Sequence, residues 1–316
     1  MKAKYICLYV IVVLFFLLVL PFVSIQLFPL IIGETLENKA EIALPETVSV
    51  YITDEEKIRK IDFEEYIVGV VASEMPPTFE DEALKAQAVA CRTYALGRVR
   101  SGAQLCDTVH CQVYRDHDIS KKTRRAVKAT AGQVLTFNGK LATQALYFSS
   151  SGGDTENAED VFSNAYPYLV SVSSSYEPNA THKKEKVTVS LKEFKNTLQD
   201  AFPHKEFGKI RSSKIKILER SEGGRVAKLQ IGDETLSGSE FRSAFDLYST
   251  RLTIKTSGKK ITITTSGSGH GVGMSQYGAN GLAKKGKNYK QILKHYYQGI
   301  SIETGRSSNH NYRLSR

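Results

Sequence analysis

The chain is 316 residues long, with 43 Lys and Arg against 33 Asp and Glu for a formal charge of +10, 41% hydrophobic residues, four cysteines and no tryptophan. That apolar content suffices for one large or two medium folded domains and excludes a disordered tail, while the cysteines are too sparse for a disulfide-built scaffold. The positive balance suits nucleic acid, an anionic membrane surface or an acidic polymer outside the cell, and location has to decide among them.

The N-terminus supplies the location. After Lys2 and Lys4 no charged side chain occurs from Tyr5 to Ile32, a run longer than the roughly 20 residues a bilayer helix requires. A cleaved signal peptide would carry a shorter apolar run followed by small residues, and this run continues past Pro21 to Pro29 without them. The expectation is a transmembrane signal anchor over residues 1–33. By the positive-inside rule it is single-pass in the cell membrane, with the rest of the chain extracytoplasmic. No helix-turn-helix, zinc-finger or RNA-recognition signature is present, so no nucleic-acid partner is expected.

Residues 34–46 read as a polar linker. Val48 to Thr53 alternates apolar and polar residues and predicts an exposed strand. A helix follows, capped by Asp62, with Tyr66, Ile67, Val70 and Val71 as its apolar stripe and Pro76-Pro77 as its stop. A second helix is predicted from Thr78, with Asp81 as a weak capping box and Leu84, Ala88, Cys91 and Ala95 along one face. GQVLTF and LATQALYFSSSGG read as strands. From about Lys183 the texture changes to Lys-rich strands and short helices, which suggests a sheet-rich lobe over 183–264 inserted between two parts of a main lobe, 47–182 and 265–303. A Gly-rich loop and a helix follow, and residues 304–316 read as a flexible polar tail. The fold class expected is α+β, two-lobed, with a helical site region and antiparallel sheets.

Four motifs in this order, VGVVASEMPPTFEDEALKAQAVACRTYAL, CDTVHCQVY, YFSSSGGDTEN and GSGHGVGMSQYGA, resemble the stage II sporulation protein D (SpoIID) family of peptidoglycan-cleaving proteins. The likeness runs from about Val48 to Gly299. It implies lytic transglycosylase activity: cleavage of the β-1,4 bond between N-acetylmuramic acid and N-acetylglucosamine in peptide-stripped glycan strands, during forespore engulfment at the septum. It also implies two partners, a SpoIIP-type amidase/endopeptidase and a SpoIIM-type membrane protein. Related chains called amidase enhancers share the motifs, so a wall-binding activator of a partner N-acetylmuramoyl-L-alanine amidase is the alternative. A zinc amidase is a weaker third reading, because the chain offers no water-activating His/Glu set.

By the same resemblance Glu74, in S-E-M-P, is the catalytic acid. The residues support that placement. Glu74 ends a helix, where the dipole disfavours negative charge, and Val71, Ala72, Met75 and Pro76 around it are apolar. Both effects raise a carboxyl pKa, as a proton donor to a glycosidic oxygen requires. Asp81, Glu82, Asp154, Glu156 and Asp160 are the candidate second carboxylates if the reaction is hydrolysis instead.

Around Glu74, the candidate substrate contacts are Ser149, Ser150, Ser151, Gly152 and Glu156, in a polar loop whose glycines allow a sugar close to the backbone. His270, Gln276 and Tyr277 join them from the Gly-rich motif, where Gly267, Gly269, Gly271 and Gly273 alternate as on a strand with one bare face. His270 either orients substrate or Glu74, or is a structural hydrogen-bonding group. Arg92 either pairs with a structural acid or reaches a substrate carboxylate. Cys106, His110 and Cys111 are zinc-type ligands, and the resemblance implies structural zinc there. A fourth ligand would be His117, Cys91 or water; a Cys106–Cys111 disulfide is the alternative.

Overall fold

The computed structural model describes residues 41–307, so the anchor expected over 1–33 lies outside the described residues. Among the described residues no helix is long and apolar enough to cross a membrane. Residues 42–307 pack as one unit of mixed helices and small sheets, the α+β class expected.

The linker ends earlier than its polarity suggested. Ile42 and Leu44 are buried, and β1 (Ala43–Leu44) pairs in parallel with a strand near the C-terminus. Strand β2 (Thr47–Ile52) alternates exposed and buried residues and pairs antiparallel with β3 (Lys57–Asp62). Asp62 then caps helix α1 (Phe63–Glu74), its carboxylate accepting from the Glu65 N–H at 3.0 Å. The helix stops because proline at 76 pushes Met75 into extended backbone, φ −128° and ψ 132°. The expected apolar stripe widens to almost the whole circumference, since every residue from Phe63 to Ala72 except Glu65 is buried.

Helix α2 (Asp81–Arg100) begins three residues later than Thr78. The two prolines and a turn closed by the Phe79 N–H on the Pro76 carbonyl use up those positions. Its N-cap, Glu80, makes no side-chain cap, and Asp81 and Glu82 meet the positive end of the helix dipole instead. It too is buried on most sides, lying against α1 and the later elements α3 (Lys121–Ala129), β5 (Gln133–Phe137), α7 (Gln276–Lys284) and α8 (Tyr289–Tyr296). Each fully buried Leu, Val or Ile in this core contributes about 1.5–3 kcal/mol. Between α2 and α3 runs an irregular segment that starts at β4 (Leu105–Cys106), paired in parallel with β2.

The second strand expected, from Leu141, is mostly irregular: only β6 (Lys140–Leu141) and β7 (Tyr147–Phe148) form. A single turn, α4 (Ala158–Val161), follows. The Lys-rich stretch builds its own hydrophobic cluster. It contains β8 (Glu185–Ser190), α5 (Leu191–Ala201), β9 (Ile215–Arg220), β10 (Val226–Ile231), β11 (Glu234–Ser237), α6 (Gly238–Ala244), β12 (Leu252–Ser257) and β13 (Lys260–Thr265). Sheets β12-β13-β8 and β11-β10-β9 are antiparallel, and Phe194, Leu198, Leu229, Phe241 and Ile263 fill the space between them and the helices.

The chain then returns to the first core through the Gly-rich loop, β14 (Met274–Ser275), α7 (Gln276–Lys284) and α8 (Tyr289–Tyr296). β14 pairs in parallel with β7, and β15 (Ser301–Thr304) pairs antiparallel with β5. The tail expected to be free from 304 is fixed at its start: β16 (Arg306–Ser307) pairs with β1.

Candidate functional site: a cleft with one carboxylate

Glu74 projects from the C-terminus of α1 into a cavity of about 370 Å³. Tyr94 of α2, the 109–113 segment, Leu146 to Phe148, Phe162, Gly269 and His270 complete its lining. Gly69 explains how the 109–115 segment lies so close to α1: a Cβ there would strike the Tyr114 ring and the Arg115 carbonyl. Arg115 in turn donates to the Ala72 carbonyl at 2.5 Å, occupying one of the carbonyls left free at the helix end.

Both carboxylate oxygens of Glu74 accept hydrogen bonds. The Val113 N–H lies 3.1 Å from Oε1 and Gln276 Nε2 lies 3.1 Å from Oε2. Burial raises the Glu74 pKa and outweighs these two bonds, which lower it. The groups beneath Glu74 are neutral. The Tyr147 hydroxyl donates to Gln112 Oε1 at 2.9 Å, and Gln112 Nε2 donates to the Tyr66 hydroxyl at 3.4 Å. Burial pushes the Cys91 thiol up to about 12, and raises both tyrosines as well. Among the described residues Glu74 is the one carboxylate lining this cavity.

Of the residues expected to touch substrate, His270 lines the Glu74 cavity, and its ring is fully committed. The Val272 N–H donates to Nδ1 at 3.1 Å, so the proton sits on Nε2, which donates to the Tyr147 carbonyl at 3.0 Å. Burial, with Arg225 as a second cause, lowers its pKa to about 4. Of the two readings, the geometry places it as a structural wall group. The ring lies against Phe148 and Phe162, with centroids 5.6 and 5.5 Å away.

Gln276 touches Glu74 itself. Tyr277 packs edge-on to Phe79 at 5.1 Å, and its N–H donates to the Ser149 carbonyl. Of its two readings Arg92 takes the structural one: fully buried, it makes a two-pronged pair with Glu64, both bonds at 2.7 Å, and donates to the Gln133 carbonyl.

The serine loop folds around a carboxylate that sequence reasoning missed. Glu177 accepts from the Ser151 N–H and Oγ, the Gly152 N–H, Ser174 Oγ and Ser275 Oγ. Ser150 is buried, its hydroxyl donating to the Thr181 carbonyl. Ser150, Ser151 and Gly152 thus shape the site from behind. The alternating glycines are no strand: Gly267, Gly269, Gly271 and Gly273 all take positive φ, 79–101°. At two of them a Cβ would meet Phe148 (Gly269) and Arg225 (Gly271) within 3 Å, so the run turns tightly where it passes the cleft.

The candidate second carboxylates lie elsewhere. Asp81 pairs with Lys122 and Glu82 with Lys85, the backbone at Asp154 forms an isolated antiparallel β-bridge with Ser173, and Glu156 and Asp160 line a different cavity. Burial raises the Glu156 pKa.

Cys106 and Cys111 form a disulfide, with Cα atoms 5.6 Å apart. A bonded pair has no thiolate to give, so these residues do not fit zinc in this form. Among the described residues no group of three or more His, Cys, Asp or Glu is arranged to hold a metal. His110 stands exposed at the mouth, His117 lies beside Asp116 at 3.6 Å, and Cys91 is free and buried. The disulfide closes the loop that delivers Val113 to Glu74. The aromatic lining from Tyr94, Tyr147, Phe148 and Phe162 was also unassigned from sequence; three of the four lie within two residues of a motif residue singled out there.

Comparison with known proteins gives the family. A family model described as stage II sporulation protein (SpoIID) matches residues 51–137, and one for a domain of unknown function matches 134–273. Stage II sporulation protein D of Bacillus amyloliquefaciens is 39% identical over 278 residues, covering 82% of this chain and 79% of that protein. The Bacillus subtilis (strain 168) protein of the same name is 39% identical over 280 residues, covering 82% and 80%. The amidase enhancer of Bacillus subtilis (strain 168) is 33% identical over 282 residues, covering 74% of this chain and 40% of that protein. The first family model ends at the last residue of β5 and takes in Glu74, Tyr94 and the disulfide loop. The chain belongs to the stage II sporulation protein D family, whose members act in sporulation.

Proposed function

We propose that the protein is a peptidoglycan lytic transglycosylase with Glu74 as its acid and base. The observation that carries this reading is the single carboxylate in the cleft. A glycosidase that hydrolyses through two carboxylates needs both beside the scissile bond. A transglycosylase needs one, because the substrate supplies its own nucleophile.

In the reaction, protonated Glu74 gives its proton to the glycosidic oxygen as the C1–O bond breaks and its electron pair leaves with the N-acetylglucosamine. The C6 hydroxyl of the muramic acid attacks C1, closing a 1,6-anhydro ring, and its proton returns to the Glu74 carboxylate. No water enters. Burial keeps Glu74 protonated above the usual carboxyl range, which suits the first step. Gln276 follows both states: its amide NH2 donates to the carboxylate, and a turned amide offers its oxygen to the carboxylic acid. The neutral tyrosines and thiol beneath add no competing charge.

In this reading the protein is held at the outer face of the cell membrane at the sporulation septum by the anchor expected at its N-terminus, beside SpoIIP-type and SpoIIM-type partners. The excess positive charge favours the anionic wall polymer there. The second reading, an enhancer that binds glycan for a partner amidase, is favoured by the amidase enhancer likeness. Saccharide release from peptide-free glycan strands by the protein alone, abolished in Glu74→Gln with glycan binding kept, supports cleavage. Strand binding with no release by the parent protein supports the enhancer.

A further inference from the structure

Two large apolar side chains that line the Glu74 cavity are exposed to solvent, Val109 by 89% and Phe162 by 40%. One comes from the loop closed by Cys106–Cys111, the other from the residue that follows α4. A single exposed apolar side chain needs no explanation, but two on the rim of one cleft mark a surface that a ligand covers.

Phe162 is fixed through its backbone and left open at its side chain. The base of α4 is tied down: the Ala158 N–H donates to the Leu169 carbonyl, both residues being fully buried, and the Ser171 N–H donates to Asn157 Oδ1 at 2.8 Å. The Phe162 N–H closes the turn on the Ala158 carbonyl at 2.7 Å, and the backbone there is extended, φ −119° and ψ 148°. Residues 159–165 are all exposed, so the chain beside the ring does not cover it. The ring leans on His270, 5.5 Å away at 62°, whose two nitrogens are both held by backbone. An aromatic ring propped on a fixed wall group, with part of its surface unoccupied, is preorganised to receive a flat apolar face.

The rest of the lining narrows the ligand. No Lys or Arg lines the cavity and burial keeps His270 uncharged at neutral pH, so an anion finds nothing there beyond the exposed His110 at the mouth. The polar side chains of the floor are already engaged, Gln112 with Tyr66 and Tyr147, and His270 with backbone. Aromatic and aliphatic surface is what remains to hold a ligand. An uncharged group with an apolar face and a polar edge fits such a cleft. In a β-1,4-linked amino sugar the substituents lie around the equator of the ring, so each face presents C–H groups, whose slight positive charge an aromatic face attracts.

We infer that Phe162 is the platform on which a sugar of the glycan strand lies in the Glu74 cleft, its C–H face against the ring and its glycosidic oxygen toward Glu74. The inference rests on the glycan-cleaving reading above and adds the residue that holds the sugar. It also gives His270 a purpose as the fixed support behind that ring. The contact is the same before and during bond breaking, so its loss raises KM and leaves kcat nearly unchanged.

The test is binding of a peptide-free glycan tetrasaccharide, and of chitotetraose as its counterpart without lactyl groups, to the full chain carrying Glu74→Gln, which cuts neither. Phe162→Leu keeps an apolar side chain without the aromatic face and should weaken both about tenfold, whereas Phe162→Tyr and Phe162→Trp should stay within about twofold of the parent. With Glu74 in place, Phe162→Leu should raise KM by the same factor, with kcat within about twofold and Tm little changed, because an exposed side chain carries little of the fold. Affinity in Phe162→Leu equal to that of the parent overturns the platform and leaves the glycan reading standing. A loss confined to the tetrasaccharide that contains muramic acid also overturns it, since the contact would then lie with the lactyl group. If the Glu74→Gln parent binds no glycan, the glycan reading itself has failed and the platform with it.

Discussion

Gln276 Nε2 lies 3.1 Å from Glu74 Oε2, joining the first residue of α7 to the last residue of α1 across 202 positions of sequence. The contact ties one carboxylate oxygen and so decides how the carboxyl group is presented. It also sets a direction: the bond lowers the Glu74 pKa, while burial, the larger cause, raises it.

Gln276→Leu therefore leaves burial less opposed. The acid is competent while protonated, so activity falls as pH rises through the Glu74 pKa, and the variant should move that alkaline limb to higher pH. Loss of orientation should lower kcat about tenfold or more. A kcat–pH profile checks this. A change confined to KM with the limb unmoved would mean that Gln276 serves the substrate instead. The raised pKa has a stability consequence of fixed sign. Folded Glu74 holds its proton longer than the unfolded chain does, so its contribution is full below the ordinary carboxyl pKa and is lost as pH rises. The Tm of wild type relative to Glu74→Gln should accordingly fall between acidic and neutral pH.

Reduction of Cys106–Cys111 tests the loop. The bond closes a short loop, and by loop-closure entropy its loss costs about 2 kcal/mol. The functional effect should be larger than that figure suggests, because the loop brings the Val113 N–H to Glu74 Oε1. A non-metal-binding reductant, and the double variant Cys106→Ser with Cys111→Ser, should each lower activity several-fold while the far-ultraviolet circular dichroism stays native. Full activity in the double variant would contradict the role given to the loop.

Two buried charges should behave as parts of the frame. Arg92→Ala strands Glu64, and Glu177→Ala strands the donors of Ser151, Gly152, Ser174 and Ser275. Removing one partner of such a buried arrangement costs about 3–5 kcal/mol. Both variants should lower Tm sharply by calorimetry, with KM nearly unchanged in whatever fraction stays folded. A KM effect in Arg92→Ala without a stability loss would restore Arg92 as a substrate contact.

His270 carries an acid-side prediction. Its folded pKa of about 4 lies below the ordinary value of 6.5, so its contribution is present above pH 6.5 and is lost as pH falls through about 4. The total effect is at most about 3 kcal/mol. His270→Gln should lose some stability at neutral pH and show a shallower decline in Tm over that acid range. An acid limb identical to wild type would show that His270 does not titrate as its surroundings require.

The parts legible in the sequence were those fixed by near neighbours. Asp62 capped its own helix and the proline at 76 ended it at Glu74, because cap and stop act within three residues. The parts that were not legible depend on distant pairs. The serine loop reads as a sugar-contacting turn until Glu177, 26 residues after Ser151, is seen to occupy its donors. Arg92 finds Glu64 28 positions back. The glycine run has a strand's spacing, and only its positive φ values show a bent backbone in place of a flat face. Glu80 replaced Thr78 as helix cap because the turn after Pro76-Pro77 consumed the intervening residues.

The most direct test of the central claim is the mass of the new chain ends made from peptide-free glycan strands in water enriched in heavy oxygen. Cleavage with a single carboxylate and the muramic acid's own C6 hydroxyl predicts 1,6-anhydromuramic ends that carry no heavy oxygen, formed by wild type and absent with Glu74→Gln. Reducing ends that carry heavy oxygen, or equal cleavage by Glu74→Gln, would contradict it.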